Sequence, residues 1–468
     1  MSENARTPEQ TYVAELVERS RVALLEAESL TQRKVDEISA AIVYTFSRPE
    51  TAKHIAEMAV EETGMGNVPS KANKFALKMP AVLYDILPTK TIGVVETIPE
   101  KGITKLAKPL GVIAALVPIT NCEATPVFKG MLGIRARNTI IFAPHPSAKK
   151  TTNYVVEKMR DILEKNGLPK DIFICIEKPS KLISQELMKQ CDITVATGGG
   201  DMVRAAHSSG KPAYGVGAGN APVIVDETVD IAQTAEKIRI GKTGDNASGC
   251  SAENSLVIQK AVYDDMLKAL QKEGGYLANA EEKAKLQAVM WKNGNLSPQI
   301  LAKSARTIAE IAGFPVPDGT NFIMVEETGI GPEYPFSREK ISLVLTLYNY
   351  DQFQEAIDKV NAITRNSGYG HSCGIHTSDK DKILKLAGET YTTKVIVRQP
   401  HGTSNAGNWH NGLANTFTLG CGSWGGNIIS ENMTQKHYFN ITWVAEPIDR
   451  KPAPDSEIYK DLLDNVVL

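Results

Sequence analysis

A thiol with open space around it is the first chemical feature of this chain. Cys250 stands in Gly244-Asp245-Asn246-Ala247-Ser248-Gly249-Cys250-Ser251, just ahead of the apolar run Leu256 to Ile258. Small neighbours let a carbonyl and the local N–H groups approach the sulfur, and glycines admit unusual φ values, so the loop suits a nucleophile. It would equally suit a small cysteine packed into a turn. His371, in Gly368-Tyr369-Gly370-His371-Ser372-Cys373-Gly374, is also ringed by small residues and titrates near neutral pH, as a general base must. Spacing alone does not pair it with Cys250, and a satisfied core histidine fits the same residues.

Three stretches suggest contacts rather than chemistry. Ala196-Thr197-Gly198-Gly199-Gly200-Asp201 leaves a strand and enters a helix, where free N–H groups and the helix dipole can hold a phosphate. The glycine that G-x-G-x-x-G requires is replaced by Val203, so the standard dinucleotide fingerprint is absent and a plain tight turn stays open. Ala143-Pro144-His145-Pro146 follows another strand, at the end where α/β sheets bind ligands; His145 either meets a ribose or phosphate there or lies idle on the surface. Thr418 to Asn427 is too glycine-rich for a helix or strand interior and is expected to line a site or an interface.

The elements that must position these residues read as two α/β units. Thr31 can cap a helix whose Val35, Ile38, Ile42 and Phe46 follow helical spacing, and Gly64 and Gly66 punctuate the end of the next. Thr91 to Thr97 and Ile103 to Ala107, split by Pro99-Glu100-Lys101-Gly102, read as a hairpin that needs another element or subunit to pack on. Apolar runs at Val112 to Val117, Thr139 to Phe142, Ile172 to Ile176, Ile193 to Ala196 and Pro222 to Val225 alternate with amphipathic helices, predicting a parallel sheet of dinucleotide-binding type. After Asp226 a second series runs through Leu256 to Ile258, Phe322 to Val325, Ser342 to Leu347 and Val395 to Val397. The apolar tail Tyr438 to Val444 would be an exposed edge strand if uncovered, which suggests an oligomer contact.

Composition narrows the function classes. At 468 residues the chain exceeds one ordinary core, and 52 basic against 54 acidic residues leave a net charge of −2, with no global pull toward nucleic acid or membrane. Six scattered cysteines show neither zinc spacing nor disulfide density, so no metal site is expected and a reducing cytoplasm fits best. No leader or membrane-length apolar run is apparent, and the short polar lead Met1 to Gln10 gives little support to a microcompartment address.

Taken in order, Pro118-Ile119-Thr120-Asn121, Asn138 to Pro146, Ala213 to Asn220, the Cys250 loop, Gly370-His371 and Leu419 to Gly425 resemble the aldehyde dehydrogenase superfamily, and most closely its CoA-acylating branch. The resemblance implies a Rossmann-type cofactor domain (1–90 and 109–225), a second α/β catalytic domain (226–433) and a β oligomerisation arm (91–108 and 434–468), assembled as a homodimer or homotetramer. It implies that Cys250 attacks an aldehyde, that hydride passes to NAD or NADP, and that CoA takes the acyl group from the resulting thioester. Asn121 would donate to the oxyanion, and His371 would help deprotonate CoA. Thr120, Ala143, Pro144, His145, Thr197, Gly198, Gly199, Val216, Gly217 and Glu339 would contact the cofactor.

Two departures sharpen that resemblance. Hydrolytic members carry a glutamate base where this chain has Val216, so thiolate rather than water is the expected acceptor. The glutamate that grips the adenosine ribose in many NAD-dependent relatives is Pro146 here, which permits NADP, with Lys149 and Lys150 near enough in sequence to meet a 2′-phosphate. Arg398, Asn405 and Trp409 fall in a donor-rich segment matching a substrate loop. Arg398 would pair with a carboxylate or sulfonate, as in succinate semialdehyde or sulfoacetaldehyde, unless it forms a structural ion pair. A hydrolytic dehydrogenase using another base and a non-catalytic assembly subunit are the competing readings.

Overall fold

Where a cap and an apolar stripe coincide in the N-terminal region, the chain is helical. In the computed structural model, which describes residues 6–466, Thr31 Oγ1 accepts from Lys34 N at 3.2 Å and starts helix Gln32–Phe46. Val35, Ile38, Ile42 and Phe46 on its inner face are fully buried. Gly64, at φ +63°, closes helix Pro49–Thr63 in the left-handed conformation that glycine adopts without strain. Residues 1–5 and 467–468 of the expected domain ranges, including half of the polar lead, lie outside the described residues.

Two wholly parallel sheets form the body. The first runs Phe173–Cys175, Thr139–Ala143, Val112–Leu116, Ile193–Thr197, Ala213–Val216 in spatial order. The second runs Gly275–Leu277, Phe322–Glu326, Val344–Tyr350, Glu253–Gln259, Ala221–Val225, Cys373–His376, Val395–Val397. Every residue of Val112–Leu116, Thr139–Ala143 and Ala221–Val225 is buried, as a sheet covered by helices on both faces demands.

One strand changes sides relative to the sequence reading. Ala221–Val225 pairs with Glu253–Gln259 and Cys373–His376, so it belongs to the second sheet, and Ala213–Val216 closes the first. The reason is connection length: Gly217-Ala218-Gly219-Asn220 is far shorter than the dozen or so residues a parallel crossover needs, so the two strands cannot be neighbours in one parallel sheet. The domain boundary therefore falls at these four residues rather than after 225.

The hairpin finds its partner within the chain. Gly93–Ile98 and Ile103–Pro109 turn through Gly102 at φ +59°, and the tail strand Phe439–Ala445 pairs antiparallel with the second of them, Ile441 opposite Ala107. On the two faces of this three-stranded arm the consecutive residues Trp443 and Val444 are 59% and 43% exposed.

Candidate active site

The catalytic candidates collect at one edge of the second sheet. Cys250, His371 and Lys394 immediately precede strands Glu253–Gln259, Cys373–His376 and Val395–Val397, and Glu339 precedes Val344–Tyr350, so parallel pairing sets their amino ends side by side. Opposite them stands the carboxyl edge of the first sheet. Val216, its last strand residue, packs with Leu419 and Cys421 against Cys250.

Within this edge His371 Nε2 lies 3.1 Å from Cys250 Sγ. Nδ1 of the same ring is 2.8 Å from Ser372 Oγ, and Asn405 Nδ2 donates at 3.0 Å both to that oxygen and to Ser251 Oγ. With Nδ1 protonated and donating to Ser372, Nε2 is an acceptor aimed at the thiol. Burial pushes the Cys250 thiol up to about 12, with Glu339 and Cys421 adding to the rise. Burial likewise pushes His371 down to about 3, with Lys394 and His401 contributing. The resting pair is therefore neutral thiol and neutral imidazole, and the proton moves when sulfur meets its electrophile.

Backbone packing explains why this loop is built of small residues. A Cβ on Gly219 would stand 2.0 Å from the Cys250 carbonyl oxygen, and one on Gly370 2.1 Å from that of Cys421. Asp245, Asn246 and Ala247 adopt φ of +47°, +53° and +56°, a left-handed run that costs non-glycine residues roughly 1 kcal/mol or more each. Hydrogen bonds hold it: Asp245 accepts from Asn67 N at 3.0 Å, Ser248 Oγ at 2.8 Å, Lys71 Nζ at 3.2 Å and Lys74 Nζ at 2.7 Å.

Asn121 sits in the turn after Val112–Leu116, its Oδ1 accepting from Lys74 Nζ, which leaves its amide hydrogens free for another acceptor. Glu339 shares a small cavity with Cys250 and accepts from Gly219 N at 2.7 Å. Burial raises its carboxyl to about 8 against the opposing pull of Gly219 N–H and Lys340.

The cofactor candidates line the carboxyl edge of the first sheet. Ala143 and Pro144 are buried at the end of Thr139–Ala143, while His145 is half-buried, its Nδ1 accepting from Ser147 N at 3.2 Å. Thr120 offers its carbonyl to Lys71 at 3.1 Å, and Thr197 Oγ1 lies 3.4 Å from Thr418 Oγ1. Gly199 and Gly217 face open space, whereas a Cβ on Gly198 would meet Met202 Sδ at 2.9 Å. Helix Gly200–His207 starts without a side-chain cap, so its first N–H groups remain available to a phosphate. This open, donor-lined turn fits a dinucleotide. Glu62, which no sequence pattern flagged, accepts from Lys150 N at 2.8 Å, Thr151 N at 2.7 Å and Thr151 Oγ1 at 2.8 Å at the start of helix Lys149–Lys165.

The substrate-loop expectations need correcting. Arg398 is exposed, at φ +54°, and follows the carboxyl end of Val395–Val397, so a strand's length separates its backbone from the edge that carries Cys250 and His371. It makes no ion pair among the described residues, which removes the structural alternative too. Asn405 is fully buried beneath the loop, its amide committed to Ser251 and Ser372, so it supports the site from behind. Trp409 is 61% exposed and packs on Tyr84 with ring centroids 5.3 Å apart. Missed by the sequence reading was Lys394, at the correct end of that strand: it is buried, and its Nζ meets only Gly420 O at 3.2 Å and Thr393 Oγ1 at 3.3 Å.

Comparison with known proteins identifies the family. The chain matches the aldehyde dehydrogenase family over residues 5–311. It is 42% identical over 456 residues to an acylating sulfoacetaldehyde dehydrogenase of Bilophila wadsworthia, covering 96% of this chain and 98% of that one. It is 40% identical over 435 residues to an acetylating succinate-semialdehyde dehydrogenase of Clostridium kluyveri, covering 92% and 94%. An acetylating aldehyde dehydrogenase structure from Geobacillus thermoglucosidasius superposes with a TM-score of 0.91 at 35% identity, covering 95% and 98%. The chain belongs to the aldehyde dehydrogenase family, and with it to the oxidoreductases that act on aldehydes.

Proposed function

We propose that the protein oxidises a small anionic aldehyde, of the sulfoacetaldehyde or succinate semialdehyde kind, to its acyl-CoA with NAD or NADP as hydride acceptor. The observation that carries the reading is the Cys250 Sγ to His371 Nε2 contact at 3.1 Å beside an apolar residue, Val216, at the place of a hydrolytic base. As sulfur bonds to the carbonyl carbon, His371 takes the thiol proton, and the oxyanion is received by Asn121 Nδ2 and the N–H of Cys250. The open glycine turn at 198–200 and Glu339 would hold the nicotinamide cofactor, which would supply the hydride acceptor. Once His371 has released the thiol proton to solvent, the thioester left on Cys250 is exposed to CoA, whose thiol gives its proton to the same imidazole, and the imidazole returns it to the departing Cys250 sulfur. Overall, aldehyde, CoA and oxidised cofactor become acyl-CoA, reduced cofactor and a proton.

Lys394 supports the anionic substrate. Lys394 is a buried amine with only neutral hydrogen-bond acceptors, on the same sheet edge as Cys250; burial lowers its pKa, and an anionic group placed beside it would favour the charged form. The relatives named for sulfoacetaldehyde and succinate semialdehyde point the same way. We also assign the arm to a subunit contact, where Trp443 and Val444 would be covered, and the protein to the cytoplasm, consistent with six unpaired cysteines.

The test is an aldehyde panel with both cofactors, with and without CoA. Sustained reduction only with CoA is expected, after a burst of one equivalent per site without it. Steady acid release without CoA would establish the hydrolytic alternative, with Glu339 as its available base.

A further inference from the structure

Beside the reacting atoms lies a buried group of four charges that the proposed mechanism does not use. Lys71 and Glu123 are completely buried, while Lys74 and Asp245 are 17% and 7% exposed at their side chains. Two cations and two anions balance. Lys74 lies in a π-helical turn, Lys74–Lys78, within the helical run from Val68 to Ile86. Such bulges often occur at functional sites.

We propose that Lys74 is a positioning residue for carbonyl activation, fixing the orientation of the Asn121 amide and tying that amide to the loop that carries Cys250. An ammonium has three hydrogens, and the structure uses all three: Asn121 Oδ1, Glu123 Oε1 at 2.9 Å and Asp245 Oδ2 at 2.7 Å accept from Nζ. Because Nζ only donates, the group facing it must be the amide oxygen, so Asn121 Nδ2 faces the other way. The ammonium also polarises that amide, which strengthens Nδ2–H as a donor. Burial works against the charge on Lys74, but Glu123 and Asp245 outweigh it and keep the group protonated. Through Asp245 the same nitrogen grips the left-handed run at 245–247 that leads to the N–H of Cys250. Lys74 thereby holds Asn121 directly and shares with Lys71, Asn67 and Ser248 the hold on Asp245 at the start of the Cys250 loop.

This inference rests on Asn121 as an oxyanion donor, and the experiment separates the two claims. The rate of the reduction burst without CoA is measured for Asn121→Ala, for the charge-balanced pair Lys74→Met with Glu123→Gln, and for all three changes together. Expected is a loss on the order of 100-fold for Asn121→Ala, a comparable loss for the pair with cofactor Kd unchanged, and little further loss for the triple variant. Lys74→Gln in place of Lys74→Met restores a donor and is expected to recover part of the rate, and this variant serves if the first does not fold. A burst near wild type in the charge-balanced pair, or losses that multiply in the triple variant, overturns the role of Lys74. A normal burst in Asn121→Ala overturns the oxyanion reading and this inference with it.

Discussion

His371 and Cys250, 121 residues apart in the chain, meet at 3.1 Å between Nε2 and Sγ. Burial drives the thiol up to about 12 and the imidazole down to about 3, so neither carries charge at neutral pH. The free enzyme should therefore react with iodoacetamide slowly at pH 7, and the rate at Cys250 should climb continuously to pH 10. Mass spectrometry of the labelled peptide follows it. A fast plateau beginning near pH 6 would mean a thiolate–imidazolium pair instead.

Ser372 makes the same contact directional. Its Oγ, 2.8 Å from Nδ1, fixes the plane of the ring, and when it accepts from Nδ1–H the Nε2 atom is left as the acceptor. Ser372→Ala is expected to lower the reduction burst about tenfold and His371→Ala about 100-fold or more, within the range for positioned general bases. Adding Ser372→Ala to His371→Ala should cost little more, since the hydroxyl acts through the ring. Stopped-flow absorbance of the reduced nicotinamide reads all three.

Much of this site was legible before any coordinates. Cys250, His371 and the glycine turn at 198–200 stood out as candidates by their small neighbours, each with a structural alternative left open until the resemblance gave them roles, and the parallel sheets followed from apolar runs alternating with helices. What joins them was not legible. The thiol and imidazole stand on strands separated in the sheet by Ala221–Val225, and that strand's allegiance depended on a four-residue connection. Lys74 looks in sequence like any solvated helix charge, since its partners Glu123 and Asp245 come from two other regions. Arg398 and Lys394 flank a three-residue strand, and only the direction of the chain through the sheet decides which end faces the thiol.

That direction yields a test of substrate recognition. Lys394→Met should cut kcat/KM for sulfoacetaldehyde or succinate semialdehyde by roughly 30-fold or more while changing that for propanal only severalfold, the scale of one lost charge-assisted hydrogen bond. Arg398→Ala should spare both kinds of aldehyde within about twofold. Equal losses on charged and neutral aldehydes for Lys394→Met would reduce that residue to a structural cation.

Glu62 bears on the choice of cofactor. Its carboxylate takes the N–H groups of Lys150 and Thr151 at the head of helix Lys149–Lys165, beside the loop where Pro146 leaves no other acid. An anion there occupies donors a 2′-phosphate would want and repels it. Glu62→Gln is expected to raise the NADP+ to NAD+ ratio of kcat/KM by roughly fivefold, at a stability cost of about 0.5–1 kcal/mol from the weakened cap. An unchanged ratio with a lowered melting temperature would leave Glu62 as a cap alone.

The acceptor preference can be challenged by rebuilding the missing base. Val216 is 3% exposed and packs with Leu419 and Cys421 against Cys250, so a carboxylate at 216 would enter a dry, apolar corner beside the thioester. Val216→Glu should cost about 2–3 kcal/mol in stability, since a buried acid without partners stays protonated at neutral pH. Its pKa would be raised, so the carboxylate, and with it hydrolysis, should appear as pH rises rather than falls. The expected result is acid release without CoA that is absent in the parent enzyme and grows from pH 7 to pH 9. If the substituted enzyme folds, acylates and still holds its thioester at pH 9, then something other than the apolar residue at 216 protects the bond.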